Sequence, residues 1–175
     1  VEKLVYPPIP KYFNTAGPCV PGAHYMLPPL PRVPDAQALV ERGSYFVLHA
    51  PRQSGKTTFL MAFAKALTAS GQYAALYTSC EIGEAAGDDA EAAQEGVVQR
   101  MIDRAQEQLP PELQPPTFAV PSRQSRLTSF LRAWAEACPR RLVIFFDEID
   151  ALRGQSLISV LRQLRDAFSS RPQHA

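Results

Sequence analysis

From residue 44 onward the chain alternates between short continuous apolar runs and stretches whose apolar residues recur three and four positions apart. Ser44-Tyr45-Phe46-Val47-Leu48-His49 is a continuous β-favouring run and predicts a buried strand. At Lys56 the period changes. Leu60, Phe63, Ala64 and Leu67 fall at i, i+3, i+4 and i+7, one face of a helix over 56–69, and Gly71 supplies a C-terminal stop. Tyr73 to Ser79 then reads as a second strand. Strand, helix and strand at this spacing form a βαβ unit, which predicts a parallel sheet.

The same reading extends along the rest of the chain. Glu81 to Asp89 is acidic, holds two glycines and predicts a loop. Val98, Met101, Ile102, Ala105 and Leu109 make another helical stripe, broken by Pro110, Pro111, Pro115 and Pro116. Ser122 can cap a helix carrying Leu127, Phe130, Leu131 and Trp134, stopped at Pro139. Arg141 to Phe146 is the most apolar strand candidate and reads as a central parallel strand. A last helix, about 155–168, should bury Leu157, Val160, Leu161, Leu164 and Phe168. Upstream, Asp35 can cap a short helix from Ala36 to Glu41, ended by Gly43.

Residues 1–34 differ in kind, with nine of the chain's seventeen prolines. Proline has no N–H and disfavours helix before it, so this segment should be extended or turned. Its Tyr6, Tyr12, Phe13, Tyr25 and Met26 are more than a disordered tail usually carries. The predicted organisation is therefore a Pro-rich arm over 1–34, packed along the domain with a flexible start, and one α/β domain over 35–175.

Composition narrows the classes without choosing among them. The 175 residues are 46% hydrophobic and 20% charged, as expected of one globular domain with a sizeable core. Eighteen basic against seventeen acidic residues give a net charge of +1, which lends no support to a whole-chain grip on nucleic acid. No apolar run is long enough to span a bilayer and no signal-like start is visible, so a cytoplasmic location is expected. Cys19, Cys80 and Cys138 are odd in number and far apart, as ordinary thiols would be.

Two motifs carry chemistry. Ala50-Pro51-Arg52-Gln53-Ser54-Gly55-Lys56-Thr57-Thr58 follows the first predicted strand and opens the first long helix, the setting of a phosphate-binding loop. Backbone N–H groups must curl around a β-phosphate there, and a side chain at Gly55 would obstruct the approach. Lys56 supplies charge to the β- and γ-phosphates, Thr57 a hydroxyl to Mg²⁺, and Thr58 is placed for the α-phosphate. Ala50 stands where the pattern has its first glycine, which a negative φ would tolerate. Arg52 lies over the phosphates, reaches a neighbouring subunit, or is a solvated loop residue; Pro51 stiffens the loop. Further on, the 141–146 strand delivers Asp147 and Glu148 at its C-terminal end, the edge where ligands of open α/β sheets bind. Asp147 would hold Mg²⁺, through water or with Thr57, and Glu148 would orient the attacking water. Asp150 can cap the following helix or contact substrate, and Glu81 ends the second strand.

These motifs, with the adjacent Asp147-Glu148 pair and a strand between loop and acids, resemble AAA-type and STAND-like bacterial ATP-binding proteins of the additional-strand, catalytic-glutamate class. The resemblance implies a three-layer αβα P-loop NTPase core with a parallel sheet of order 5-1-4-3-2, in which only strands 1 to 3 precede Ala175. Strands 4 and 5, the sensor residue, the arginine finger and the lid would then follow the acidic strand and its helix, leaving a truncated core of weak stability and slow or no hydrolysis. Tyr12-Phe13-Asn14-Thr15-Ala16-Gly17-Pro18 and His24-Tyr25-Met26-Leu27-Pro28-Pro29 resemble the segment leading such cores. That likeness implies that some of Tyr12, Phe13 and Tyr25 line an adenine pocket. It also implies ATP and Mg²⁺ as ligands, and a protein partner or homo-oligomer contacted through the regions beyond.

Three functions stay open at this point. The first is an ATP hydrolase that drives or signals to a partner. The second is a STAND-like switch with little hydrolysis. The third, a P-loop kinase, would need an arginine-bearing lid and an acceptor pocket that the sequence does not display.

Overall fold

A computed structural model describes residues 10–117 and 125–169. The chain divides by its internal contacts into two units, Val1–Ala62 and Phe63–Ala175. The boundary falls inside a helix.

In the first unit, residues 12–25 close on themselves. Tyr12 donates its N–H to Ala23 O (3.1 Å) and accepts from Tyr25 N (3.0 Å), a single parallel bridge between Tyr12 and His24. His24 is buried, and its Nδ1 accepts from Val20 N at 2.9 Å. A 3₁₀ turn, Leu30–Arg32, leads to α1, Ala36–Glu41. Asp35 precedes this helix without the expected side-chain cap. Its end is as predicted: Gly43 adopts φ +64, its N–H reaches Val40 O, and Ser44 N reaches Leu39 O. Only a residue at ease with positive φ closes both bonds.

Residues 44–50 have no regular secondary structure, so the predicted first strand is absent. Tyr45 is 57% and Val47 92% exposed, far from the buried strand the apolar run suggested. The reason is physical. An apolar run becomes a strand only where a neighbour accepts from its N–H groups and donates to its C=O groups, and its own sequence does not supply that neighbour. Helix α2, Lys56–Ala69, then forms as predicted; Leu60, Phe63, Ala64 and Leu67 are all buried, and Gly71 at φ +82 follows it.

The second unit is mixed α/β around a two-stranded parallel sheet. β1, Tyr73–Ser79, pairs with β2, Arg141–Asp147, in a register that sets Tyr73 against Arg141 and Ser79 against Asp147. Between them lie α3, Ala90–Gln108, and α4, Arg126–Ala137, and α5, Gly154–Ser169, follows. Short 3₁₀ turns cover Glu81–Ala86, where a loop was expected, Pro111–Leu113 and Ile149–Ala151. Asp89 caps α3 by accepting from Glu91 N and Ala92 N. Ser122, the expected cap of α4, lies outside the described residues.

One face of the sheet carries the main core. Ala74 and Leu76 pack with Val97 and Met101 of α3, Leu127, Phe130 and Trp134 of α4, and Val160 of α5. On the other side Phe63 stacks on Phe145 at 5.4 Å, and Thr68 Oγ1 bonds both N (3.1 Å) and O (3.4 Å) of Ala75. β2 is less enclosed than a central strand: Leu142, Val143, Ile144 and Phe146 are only half-buried, because among the described residues β1 is its only partner strand. On α5, Leu161 is 47% exposed rather than core, and the buried positions are Ser156, Val160 and Gln163. Gln163 accepts from Leu127 N and Thr128 N, a polar clasp that an apolar stripe does not reveal. Among the described residues, no helix is long and apolar enough to cross a membrane.

Candidate functional site

The loop predicted to hold phosphates belongs to the first unit and is shaped by its own backbone. Gln53 (φ +58) and Gly55 (φ +84) both sit in the left-handed region, which curls the chain immediately before α2. Gly55 is the natural occupant of such a position; Gln53 holds it at a cost of roughly 1 kcal/mol or more. Lys56 folds back across the curl, donating from Nζ to Ala50 O (2.8 Å) and Pro51 O (3.0 Å). Ala50 needs no glycine-like backbone, since Gln53 and Glu148 are the only described non-glycine residues with positive φ. The first helical bond joins Phe59 N to Gly55 O at 2.9 Å. That leaves the earlier N–H groups of α2 at the mouth of the loop, where a helix presents donors and positive potential.

Three further features of the loop bear on ligand binding. Ser54 Oγ is fully buried without a hydrogen-bond partner, an uncommon condition for a hydroxyl and one that a polar ligand would relieve. Thr58 Oγ1 accepts from Cys19 N at 3.3 Å, so this hydroxyl ties the Pro-rich segment to the loop. Arg52 is exposed, as a solvated loop arginine would be.

The residues implied to meet adenine are accessible. Phe13 and Tyr25 stack at 5.1 Å with their rings tilted by 38°, and Tyr12 packs edge-on to His24 at 4.7 Å. Phe13 is 78% exposed, so this pair is an open aromatic surface rather than a formed pocket.

The acidic strand end belongs to the second unit. Asp147 is 9% exposed at the last position of β2, and both its carboxylate oxygens accept hydrogen bonds. Oδ1 takes the Glu148 N–H at 3.0 Å and Oδ2 the Tyr77 hydroxyl at 3.2 Å. Glu148 is exposed and holds φ +52, the second strained non-glycine residue among the described residues. Its Oε2 accepts from Ser79 Oγ at 2.9 Å. Backbone strain of this kind persists where surrounding bonds over-determine the conformation. A cavity of about 320 Å³, lined by Ser79, Glu81, Ile82 and Arg100, adjoins the end of β1.

The neighbours of the two acids feel them. Tyr77 is pushed up from 10.0 to about 12, first by burial and then by the charge and hydrogen bond of Asp147 and the charge of Glu148. Cys80 is pushed up to about 12 by burial and then by the same two carboxylates. Both groups keep their protons in the folded chain longer than in the unfolded one, so the stability they contribute is complete below pH 9. It should be lost between about pH 9 and 12, as the unfolded thiol (9.0) and phenol (10.0) ionise before the folded ones. Urea midpoints measured at pH 8, 10 and 11.5 should fall steadily, and Tyr77→Phe should flatten the fall above pH 10. A flat profile in the parent protein would contradict the burial of these two protons.

Asp150, expected to cap α5, is exposed in the turn before it. The cap comes instead from Asp88, whose Oδ1 accepts from Gln155 N at 3.1 Å across sixty-seven positions of sequence. Ser79 and Tyr77 belong to neither sequence motif. The signal for them was the strand register, because Ser79 is the residue paired with Asp147. Among the described residues, no group of three or more His, Cys, Asp or Glu side chains could hold a metal on protein ligands alone. A Mg²⁺ ion bound with a nucleotide needs fewer, since water and phosphate fill most of its octahedron. No family model matches the chain, and no curated protein or solved structure matches it either.

Proposed function

We propose that this chain binds ATP through Ala50–Thr58 and hydrolyses it with Mg²⁺, as an AAA-like P-loop ATPase that drives or signals to a partner protein or further copies of itself. The observation that carries this reading is the curl at Gln53–Gly55, pinned by Lys56 on two loop carbonyls at the start of a fourteen-residue helix. A backbone of that form presents N–H groups to an anion, and Ser54 Oγ is a buried hydroxyl still lacking a partner. The parallel pairing of β1 with β2 also agrees with the implied sheet order, in which strands 2 and 3 are neighbours.

In this reading Lys56 would neutralise the β- and γ-phosphates, and Thr57 would offer a hydroxyl, and Asp147 a carboxylate, to Mg²⁺. When bound, Mg²⁺ offsets charge on the phosphate oxygens. Glu148 orients the water for in-line attack and takes its proton. Ser79 and Tyr77 hold the two carboxylates in position, and Tyr12, Phe13 and Tyr25 offer the base an aromatic face. A cytoplasmic location goes with this function.

One observation favours a second reading, a STAND-like switch with little hydrolysis. The Ser79 hydroxyl occupies one oxygen of Glu148, the group that would have to engage water.

Calorimetric titration with ATP and GTP, with and without Mg²⁺, tests the reading. Binding of ATP should be strengthened by Mg²⁺ and weakened roughly 10- to 100-fold by Lys56→Ala, the worth of a charge-assisted hydrogen bond. Equal binding to the parent and the variant would remove the loop from the function. Comparing turnover with nucleotide-dependent oligomerisation separates hydrolase from switch.

A further inference from the structure

The phosphate-binding motif does not account for every cation at the loop. Arg32 closes the Leu30–Arg32 turn of the Pro-rich segment, within the same unit as the loop. Its Nη1 lies 2.8 Å, and its guanidinium carbon 3.9 Å, from where a Cβ on Gly55 would stand. That is the face at which a bare Cα lets an anion approach the backbone.

The two nearby cations differ in what they have left to give. Lys56 already commits two of its ammonium protons to Ala50 O and Pro51 O. Arg32 is exposed, and no carboxylate pairs with it among the described residues. Its rigid planar fork of N–H donors matches two oxygens of a phosphate in a fixed bidentate geometry that a lysine ammonium lacks. Charge points the same way. Residues 1–62 hold six lysines and arginines against three acids, whereas the remaining residues hold twelve against fourteen. The cationic surplus is thus confined to the unit that contains the loop.

We propose that Arg32 is a second phosphate ligand of this site, gripping the polyphosphate through its guanidinium fork and favouring nucleotides with more phosphates. The proposal rests on the nucleotide reading above. It makes the Pro-rich segment part of the phosphate site, through a side chain that no loop motif contains.

Calorimetric titration of the chain with Mg·ATP, AMP and inorganic triphosphate, at low and moderate salt, provides the test. Arg32→Ala should weaken Mg·ATP and inorganic triphosphate alike, by roughly tenfold, with little effect on AMP and a shallower salt dependence. Arg32→Lys should recover part of the loss, a rescue by charge that a purely structural role would not give. Arg42→Ala, an exposed arginine at the end of α1, should bind as the parent does. Unchanged Mg·ATP binding in Arg32→Ala, with Lys56→Ala impaired, would overturn the role of Arg32 and leave the nucleotide reading standing. Equal weakening of AMP and Mg·ATP would overturn it too, since the contact would not then be with the outer phosphates. A parent chain that binds neither Mg·ATP nor triphosphate would overturn both readings.

Discussion

Glu148→Gln should leave Mg·ATP affinity within about twofold and slow hydrolysis by roughly 10²- to 10⁴-fold, the usual worth of a general base. The substitution keeps the shape of the side chain. Ser79 can still bond the amide in place of the carboxylate oxygen it now holds at 2.9 Å. The left-handed backbone at Glu148 is unaffected by exchanging an oxygen for a nitrogen. What changes is basicity, because an amide cannot take a proton from water. Single-turnover hydrolysis of radiolabelled ATP, run beside calorimetric binding, reads the two effects separately. If turnover persisted unchanged with binding intact, water activation would have to be sought elsewhere and Glu148 would keep only its hydrogen bond to Ser79.

The largest expected effect on stability lies away from the loop. Trp134→Ala should destabilise the second unit by about 3–5 kcal/mol through the cavity it leaves. Trp134 is fully buried, packs on Phe130 at 5.7 Å, and donates from Nε1 to Leu113 O at 3.0 Å. Leu113 is itself fully buried, so truncation also strands a carbonyl with no solvent to turn to. Trp134→Phe separates the two contributions. It keeps most of the ring volume, loses the N–H, and should cost about 1–3 kcal/mol. Urea denaturation followed by circular dichroism is the appropriate measurement, since Trp134 is the chain's single tryptophan. A loss below about 1 kcal/mol for the alanine variant would mean that the core closes around the gap.

Much of the architecture was legible in the residue pattern because it depends on local rules. The stripe Leu60, Phe63, Ala64, Leu67 and the stop at Gly71 specify α2 with little help from elsewhere. The runs at 73–79 and 141–147 became strands because each had the other as partner. The run at 44–49 is equally β-favouring and has no ladder, which shows that pattern supplies a tendency and pairing decides the outcome. Leu161 looked like core on its helix stripe yet is half exposed, because a stripe marks the apolar face without saying how much of it is covered. The backbone curl before α2 and the start of that helix were likewise readable, since both are encoded within a few positions.

By itself, then, the sequence determined the long helices, the two apolar strands that pair, and the glycine-closed ends of α1 and α2. These follow from side-chain periodicity and from φ preferences that act over a few neighbours. Only the tertiary structure decided what touches those residues. Arg32 against Gly55, Cys19 on Thr58, Tyr77 and Ser79 on the two carboxylates, and Asp88 on α5 join positions from 23 to 70 apart. Hydrogen bonds and charges act through a few ångströms of space, and separation along a chain carries no information about that distance until the chain has folded.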